Sequence, residues 1–181
     1  ATTDVGRILK FNSGEAKITA RTNTTVVVVT ITKAFTNTDA TAAFNLGAFS
    51  DTTGHPSCVS FFEQRLVFAG TTDEPQTLYF SKSGDYENMT TGTDAVDAMV
   101  YTIASNQVNK IRYLKAVRTL LIGTTGGEFS VSADGTDASI TPTNVTIKRQ
   151  SSYGTANVDA QMAGNAILFL QRAKRKIREL A

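Results

Sequence analysis

A strand pattern that returns three times constrains this chain more than any other feature. Residues 54–86 read GHPSCVSFFEQRLVFAGTTDEPQTLYFSKSGDY. They hold three short apolar runs, at 59–62, 65–69 and 77–81, separated by turn-forming residues. A second series starts near Lys110. It has a strand at 111–114, TLLIG at 119–123 matching LVFAG at 66–70, a tight turn at Gly126-Gly127, and an alternating strand at 128–132. VTIKR at 145–149 would be its outer strand. A third series has AILFLQ at 166–171, a turn near Ala173-Lys174 and a last strand at 176–180. The apolar centres Leu66, Leu120 and Ile167 recur roughly every 50 residues, the period of four-stranded β-propeller blades. Antiparallel neighbours need only short turns between them, and short turns are what the sequence supplies. A plain β-sandwich without a true repeat is the alternative.

The first fifty residues read as a small β module. Ala16, Ile18 and Ala20 alternate with Lys17, Thr19 and Arg21, the period of a half-buried strand. Residues 26–31 are β-branched throughout, which disfavours helix and favours strand. Residues 6–11 would add a first strand and 44–49 a closing one. The polar stretch 37–43 fits a loop or a short helix. The expected fold is therefore mainly β: a module over residues 1–50, then residues 51–181 as two to three blades of an incomplete propeller. The blades fall near 55–104, 110–150 and 155–181. A short outer strand near 99–103 is expected, after a helical turn at 95–99. Two to three blades cannot close a ring, which takes about 4 to 8. The chain also begins at Ala1, so the expectation is a piece of a longer protein.

The chemistry-bearing residues are sparse. The single histidine, His55, precedes Pro56 and reads as a turn residue, and it leaves no histidine pair for a metal. The single cysteine, Cys58, excludes an internal disulfide and fits a synthesis site that tolerates thiols, the cytosol. It opens a strand and reads as a buried structural thiol. Residues 123–127 (GTTGG) are glycine-rich, but no Gly-Lys-Ser/Thr follows, so they read as a hairpin turn. Residues 134–137 (DGTD) lack the distal Glu of a calcium loop. Asp94 with Asp97, and Glu63, Asp73 and Glu74 in turns, form no recognisable catalytic pair. No catalytic, cofactor-binding or metal-binding residue is assigned, no cofactor is expected, and no enzyme activity follows. The longest apolar runs are strand-sized, far short of the ~20 residues of a spanning helix.

Charge concentrates at one place. Net charge is +2, too small to indicate nucleic acid by itself. Arg172, Lys174, Arg175, Lys176 and Arg178, however, cluster around the last hairpin. They read either as a weak phosphate-facing surface or as charges that keep a sheet edge from pairing wrongly. No aromatic residues interleave with them to form a stacking platform.

Several ordered blocks resemble a known family. GHPSCVSFFEQRLVFAGTTDEPQTLYFSKSGDYENM, NKIRYLKAVRTLLIGTTGGEF, TPTNVTIKRQSSYG and AILFLQRAKRKIREL resemble, in order, the nozzle-like tail proteins of tailed bacteriophages and prophages, the tail tubular protein B family. The similarity covers roughly residues 54–180. Phe129 stands in GGEF where the family tends to have Trp, a swap that keeps an aromatic. The resemblance implies a non-enzymatic virion component built on β-propellers. It would be made in the host cytoplasm and assembled with other copies of itself and other tail proteins into a ring that DNA traverses without sequence specificity. A carbohydrate- or protein-binding module for host-surface recognition is the alternative, with Tyr86 and Tyr153 as its candidate loop aromatics.

Overall fold

The computed structural model describes residues 4–135 and 138–180. These form a mainly β fold with four small antiparallel sheets and almost no helix, and no closed barrel or ring of sheets. The chain divides into two compact units, Ala1–His55 and Pro56–Ala181.

The first unit holds β1 (Ile8–Phe11), β2 (Gly14–Arg21), β3 (Val27–Lys33) and β4 (Asn45–Leu46), in the spatial order β3-β2-β1-β4. Asn12 and Ser13 join β1 to β2 with φ of 43° and 59°, the left-handed pair of a two-residue hairpin turn whose twist matches the strands. That turn sets the register Phe11 to Gly14 and Leu9 to Ala16. The alternation in β2 then buries Ala16 and Ile18 on one face. The ring of Phe35 stacks on Phe11, centroids 4.2 Å apart, over the bare backbone of Gly14. Residues 37–43 are loop, not helix. The Asn37 carboxamide oxygen accepts from the Asn12 side chain at 2.7 Å and from the Asp39 N–H at 3.3 Å, which draws the backbone away from helical bonding. The closing strand is shorter than expected: only Asn45 and Leu46 pair with β1.

The second unit is a stack of three sheets, each with its strands in chain order. The first comprises β5 (Cys58–Phe62), β6 (Arg65–Ala69), β7 (Thr77–Phe80) and β8 (Met99–Thr102). The second comprises β9 (Ile111–Ala116), β10 (Leu120–Thr124), β11 (Gly127–Ser132) and β12 (Thr146–Ser151). The third has β13 (Gln161–Ala163), β14 (Ala166–Leu170) and β15 (Ile177–Leu180). The strands expected from the repeated pattern are all present, with ends shifted by at most two residues. β13 was not foreseen. Residues 95–97 form a turn, not a helical one. The Asp97 carboxylate takes the Asp94 N–H at 3.1 Å and the Lys82 ammonium at 2.7 Å, and β8 starts two residues later. At the glycine-rich turn the corner residues are Thr125 and Gly126, and Gly127 already belongs to β11.

Two apolar cores hold the stack. Val67, Ala69, Leu78, Phe80 and Met99 from the first sheet meet Ile111, Leu120, Ile122, Phe129 and Val131 from the second. Tyr113 and Leu121, on the opposite face of the second sheet, meet Ala160, Ile167 and Phe169 of the third. Burying each such side chain contributes about 1.5–3 kcal/mol, so these cores are what keeps the sheets together. The initial strands of the first two sheets, β5 and β9, lie against one another. Backbone bonds stitch neighbours at the same end: Ile111 N–H to Pro75 O at 2.9 Å, and Thr155 N–H to Thr124 O at 2.8 Å. Gly154 allows the second of these. Its φ is 68°, and a Cβ there would collide with the Thr125 carbonyl.

Among the described residues no helix is long and apolar enough to cross a membrane.

Candidate functional site

The features singled out in the sequence do not converge. His55 is exposed and pairs with Asp51, Nε2 to Oδ1 3.1 Å. Cys58 is buried in the first core, with Sγ 3.8 Å from the Ile111 carbonyl. Burial pushes its thiol up, which makes it inert at neutral pH. In the glycine-rich turn the Thr124 hydroxyl donates to the Gly127 carbonyl and faces the N–H groups of Gly126 and Gly127, so this loop closes on itself. Glu63 accepts the Ile140 N–H at 2.7 Å, and Glu74 accepts the Tyr79 hydroxyl at 2.9 Å. Of residues 134–137, Thr136 and Asp137 lie outside the described residues. Among the described residues no group of three or more His, Cys, Asp or Glu is placed to hold a metal ion.

The basic hairpin splits into two kinds of residue. Arg172 reaches the Thr125 carbonyl at 3.1 Å, and Arg178 lies over the Tyr153 ring at 3.9 Å from its centroid. Both therefore brace the third sheet against the second. Lys174, Arg175 and Lys176 stay exposed at the turn, where Lys174 itself adopts a left-handed φ of 57°. Tyr86 packs edge-on against Phe61, centroids 5.1 Å apart, so both candidate loop aromatics already have protein neighbours.

The most unusual chemistry was not foreseen. It sits between the second and third sheets. The register places Tyr113, Gly123, Glu128 and Ser151 in one row across β9, β10, β11 and β12. Gly123 has no side chain, and the Tyr113 ring occupies the space a Cβ would need. Glu128 is 0% exposed and Tyr113 1%. Ser151 donates its hydroxyl to Glu128 Oε2. Glu128 Oε1, the Tyr113 hydroxyl and Arg112 Nε have no hydrogen-bond partner. Burial raises the Glu128 carboxyl above its ordinary range, against the Ser151 hydroxyl, the Gly154 and Tyr153 N–H groups and Arg149, all of which favour the charged form. Burial, with the Glu128 charge added to it, also raises Tyr113.

This row is a polar strip inside an otherwise apolar seam. The carboxyl and the phenol lie on either side of Gly123 without a hydrogen bond between them, and both are fully covered. Farther along the same seam is an open cleft of about 290 Å³ lined by Val117, Leu121, Ser130 and Leu180. Arg65 is the second unforeseen buried charge, 2% exposed. Its Nη1 donates to the carbonyls of Ser81 (2.8 Å) and Asp97 (2.6 Å), and Nη2 to that of Ala95 (2.5 Å). It ties β6 to the loop before β8, a structural role. The stack's two outer faces also carry exposed apolar surface. Val59, Phe61 and Val100 are 46–60% exposed on the first sheet, and Leu168 and Ile177 are exposed on the third.

No family model matches this chain, and no curated protein matches it.

Proposed function

We propose that this chain is a structural component of a bacteriophage or prophage tail, a wall segment of a ring through which DNA passes, without enzymatic activity. The observation that carries the reading is the stack of three sheets, each running in chain order, with apolar residues left exposed on both outer faces. Sheets of this kind are blade-like: the initial strands of the first two lie together, and each sheet offers a face to the next. On this reading the second unit is an arc of two to three propeller blades. Exposed Val59, Phe61 and Val100 at one end, and Leu168 and Ile177 at the other, are where further blades or other subunits continue it. The resemblance of residues 54–180 to nozzle-like tail proteins supports the same assignment.

The partners on this reading are other copies of the chain, other tail proteins and DNA in the lumen. Lys174, Arg175 and Lys176 supply a weak, sequence-independent attraction for phosphates. Arg172 and Arg178 are engaged with the protein and contribute less. The protein is made in the host cytoplasm and resides in the virion tail.

Negative-stain electron microscopy of the purified full-length protein tests the proposal. Ring-shaped assemblies with a lumen wide enough for duplex DNA are expected. Particles without a ring, together with binding to a defined sugar on a glycan array, would replace this reading with a host-recognition module.

A further inference from the structure

The charged side chains of the second unit are sorted along the strand direction. Contacts between the sheets define two ends of the stack. At one end the Ile111 N–H meets the Pro75 carbonyl at 2.9 Å, and the Arg172 N–H meets the Gly154 carbonyl at 2.8 Å. At the other end Glu63 accepts the Ile140 N–H, and Asn165 and Leu180 share a cleft with Val117 and Thr119. The loops of that second end are residues 63–64, 81–98, 117–119, 133–145 and 164–165. Among the described residues they carry Glu63, Asp85, Glu87, Asp94, Asp97 and Asp134 against Lys82 and Arg118 alone. Over the second and third sheets the first end is the reverse. Lys110, Arg149, Arg172, Lys174, Arg175 and Lys176 gather there. Of the carboxylates near them, Glu128 is covered and Asp159 pairs with Lys115 at 2.8 Å. Asp73 and Glu74 belong to the loop 70–76 of the first sheet.

One two-residue turn fixes part of this cluster. The Thr125 N–H donates to the Lys110 carbonyl at 3.0 Å, which sets Lys110 beside the turn. The Thr125 carbonyl accepts from Arg172 Nη1 at 3.1 Å, and the Gly126 carbonyl from Arg149 Nη2 at 2.8 Å. Two guanidinium groups from different sheets thus sit on consecutive carbonyls. Bracing takes some of the five N–H donors of each and none of its charge. Lys174, Arg175 and Lys176 lie in the turn before β15, so guarding a sheet edge does not account for them.

We propose that this end of the second and third sheets is a phosphate-binding surface that takes the backbone of duplex DNA, with the acidic end turned away from it. That the polyanion is duplex DNA rests on the tail reading; which end of the chain meets it rests on the charges. Duplex DNA carries one negative charge per about 1.7 Å of its axis, so a cluster of cations meets several phosphates at once. Arginine forks already held by protein carbonyls lose little freedom on meeting phosphate oxygens. Contacts to phosphate carry no sequence information, as a channel for any DNA requires. Like-charge repulsion at the acidic end fixes the orientation.

Fluorescence anisotropy of a short labelled duplex, titrated with the full chain at a series of salt concentrations, tests the surface. For wild type, log K is expected to fall linearly with log salt, alike for duplexes of different sequence. Arg175→Gln with Lys176→Gln alters only exposed side chains and should flatten the slope by about 2. Arg149→Gln with Arg172→Gln should flatten it by about 1–2, with far-UV circular dichroism confirming the fold. Arg118→Gln removes a cation from the acidic end and should leave the slope unchanged. No binding at low salt, a slope indifferent to the Arg175/Lys176 pair, an equal effect from Arg118→Gln, or binding to vesicles of anionic phospholipid in place of the duplex would each overturn the proposal. Rings formed by a chain that does not bind the duplex would keep the ring reading and remove this surface. Salt-dependent binding by a chain that forms no ring would keep the surface and remove the ring.

Discussion

The buried Glu128 carboxyl should make the second unit less stable as pH rises, and Glu128→Gln should abolish that dependence. The side chain is fully covered, and its folded-state pKa lies above the unfolded value of about 4.5. The folded protein therefore keeps a proton that the unfolded chain has released. Stability from this group is fully present below the unfolded pKa and is lost as pH climbs through the folded one. Each unit by which the folded pKa exceeds the unfolded one costs about 1.4 kcal/mol at pH values above both. The groups that limit the loss are the Ser151 hydroxyl, the Gly154 and Tyr153 N–H groups and Arg149; the Tyr113 phenol shares the same covered strip. Glutamine keeps the shape and an oxygen to accept from Ser151, but it cannot ionise. At pH 4 the two proteins should be of similar stability. At pH 8 the glutamine variant should be the more stable, by about 1–3 kcal/mol if the penalty is that of one unsatisfied buried group. Urea unfolding at a series of pH values, followed by far-UV circular dichroism because the chain has no Trp, measures both curves. Subtracting one from the other removes the titration of every other carboxylate. Parallel curves for the two proteins would refute the reasoning, since they would mean that Glu128 titrates as it does in the unfolded chain.

Three further outcomes follow from the packing. Arg65→Ala should lower stability by about 2–4 kcal/mol, because it leaves the buried Ser81 carbonyl and the part-buried carbonyls of Ala95 and Asp97 without their donor; the thermal midpoint should drop by roughly 2–4 °C per kcal/mol. Gly123→Ala places a methyl where the Tyr113 ring lies and should cost about 1–3 kcal/mol, visible as a lower urea midpoint and an altered near-ultraviolet tyrosine signal. Cys58, 8% exposed with a raised pKa, should resist a thiol reagent in the native protein at pH 8 and react fully in denaturant.

The strands were readable because their residues carry the signal locally. The β-branched run in β3, the alternation in β2 and the matched LVFAG and TLLIG segments each specify strand without reference to the rest of the chain. β13 escaped because Gln161, Met162 and Ala163 have neither periodicity nor β-branched residues; tertiary pairing with β14 makes it a strand. The buried row escaped for a different reason. In β11 the sequence Glu-Phe-Ser-Val-Ser reads as an apolar face (Phe129, Val131) and a polar face (Glu128, Ser130, Ser132), and a polar face reads as solvated. The third sheet covers that face. Only the register, which sets Gly123 between Tyr113 and Glu128, discloses why a carboxyl and a phenol fit beneath it. Arg65 is hidden in the same way: an arginine at the start of a strand gives no sign that three carbonyls will converge on it.

The order of the three stacked sheets sets how this unit comes apart. The middle sheet is covered on both faces, whereas the first and third each leave one face exposed. A stack in which each layer touches only its neighbours opens from its ends. The third sheet is the smaller end, held through the cluster of Tyr113, Leu121, Ala160, Ile167 and Phe169 against the larger first core. Amide hydrogens of β14 and β15 should therefore exchange first, in a sub-global opening that leaves the first two sheets folded. Those of β10 should exchange last, at the rate of global unfolding. Because that opening uncovers Glu128, alkaline pH should speed exchange in β14 and β15 beyond its effect on intrinsic amide chemistry, making the seam the weak joint of the stack.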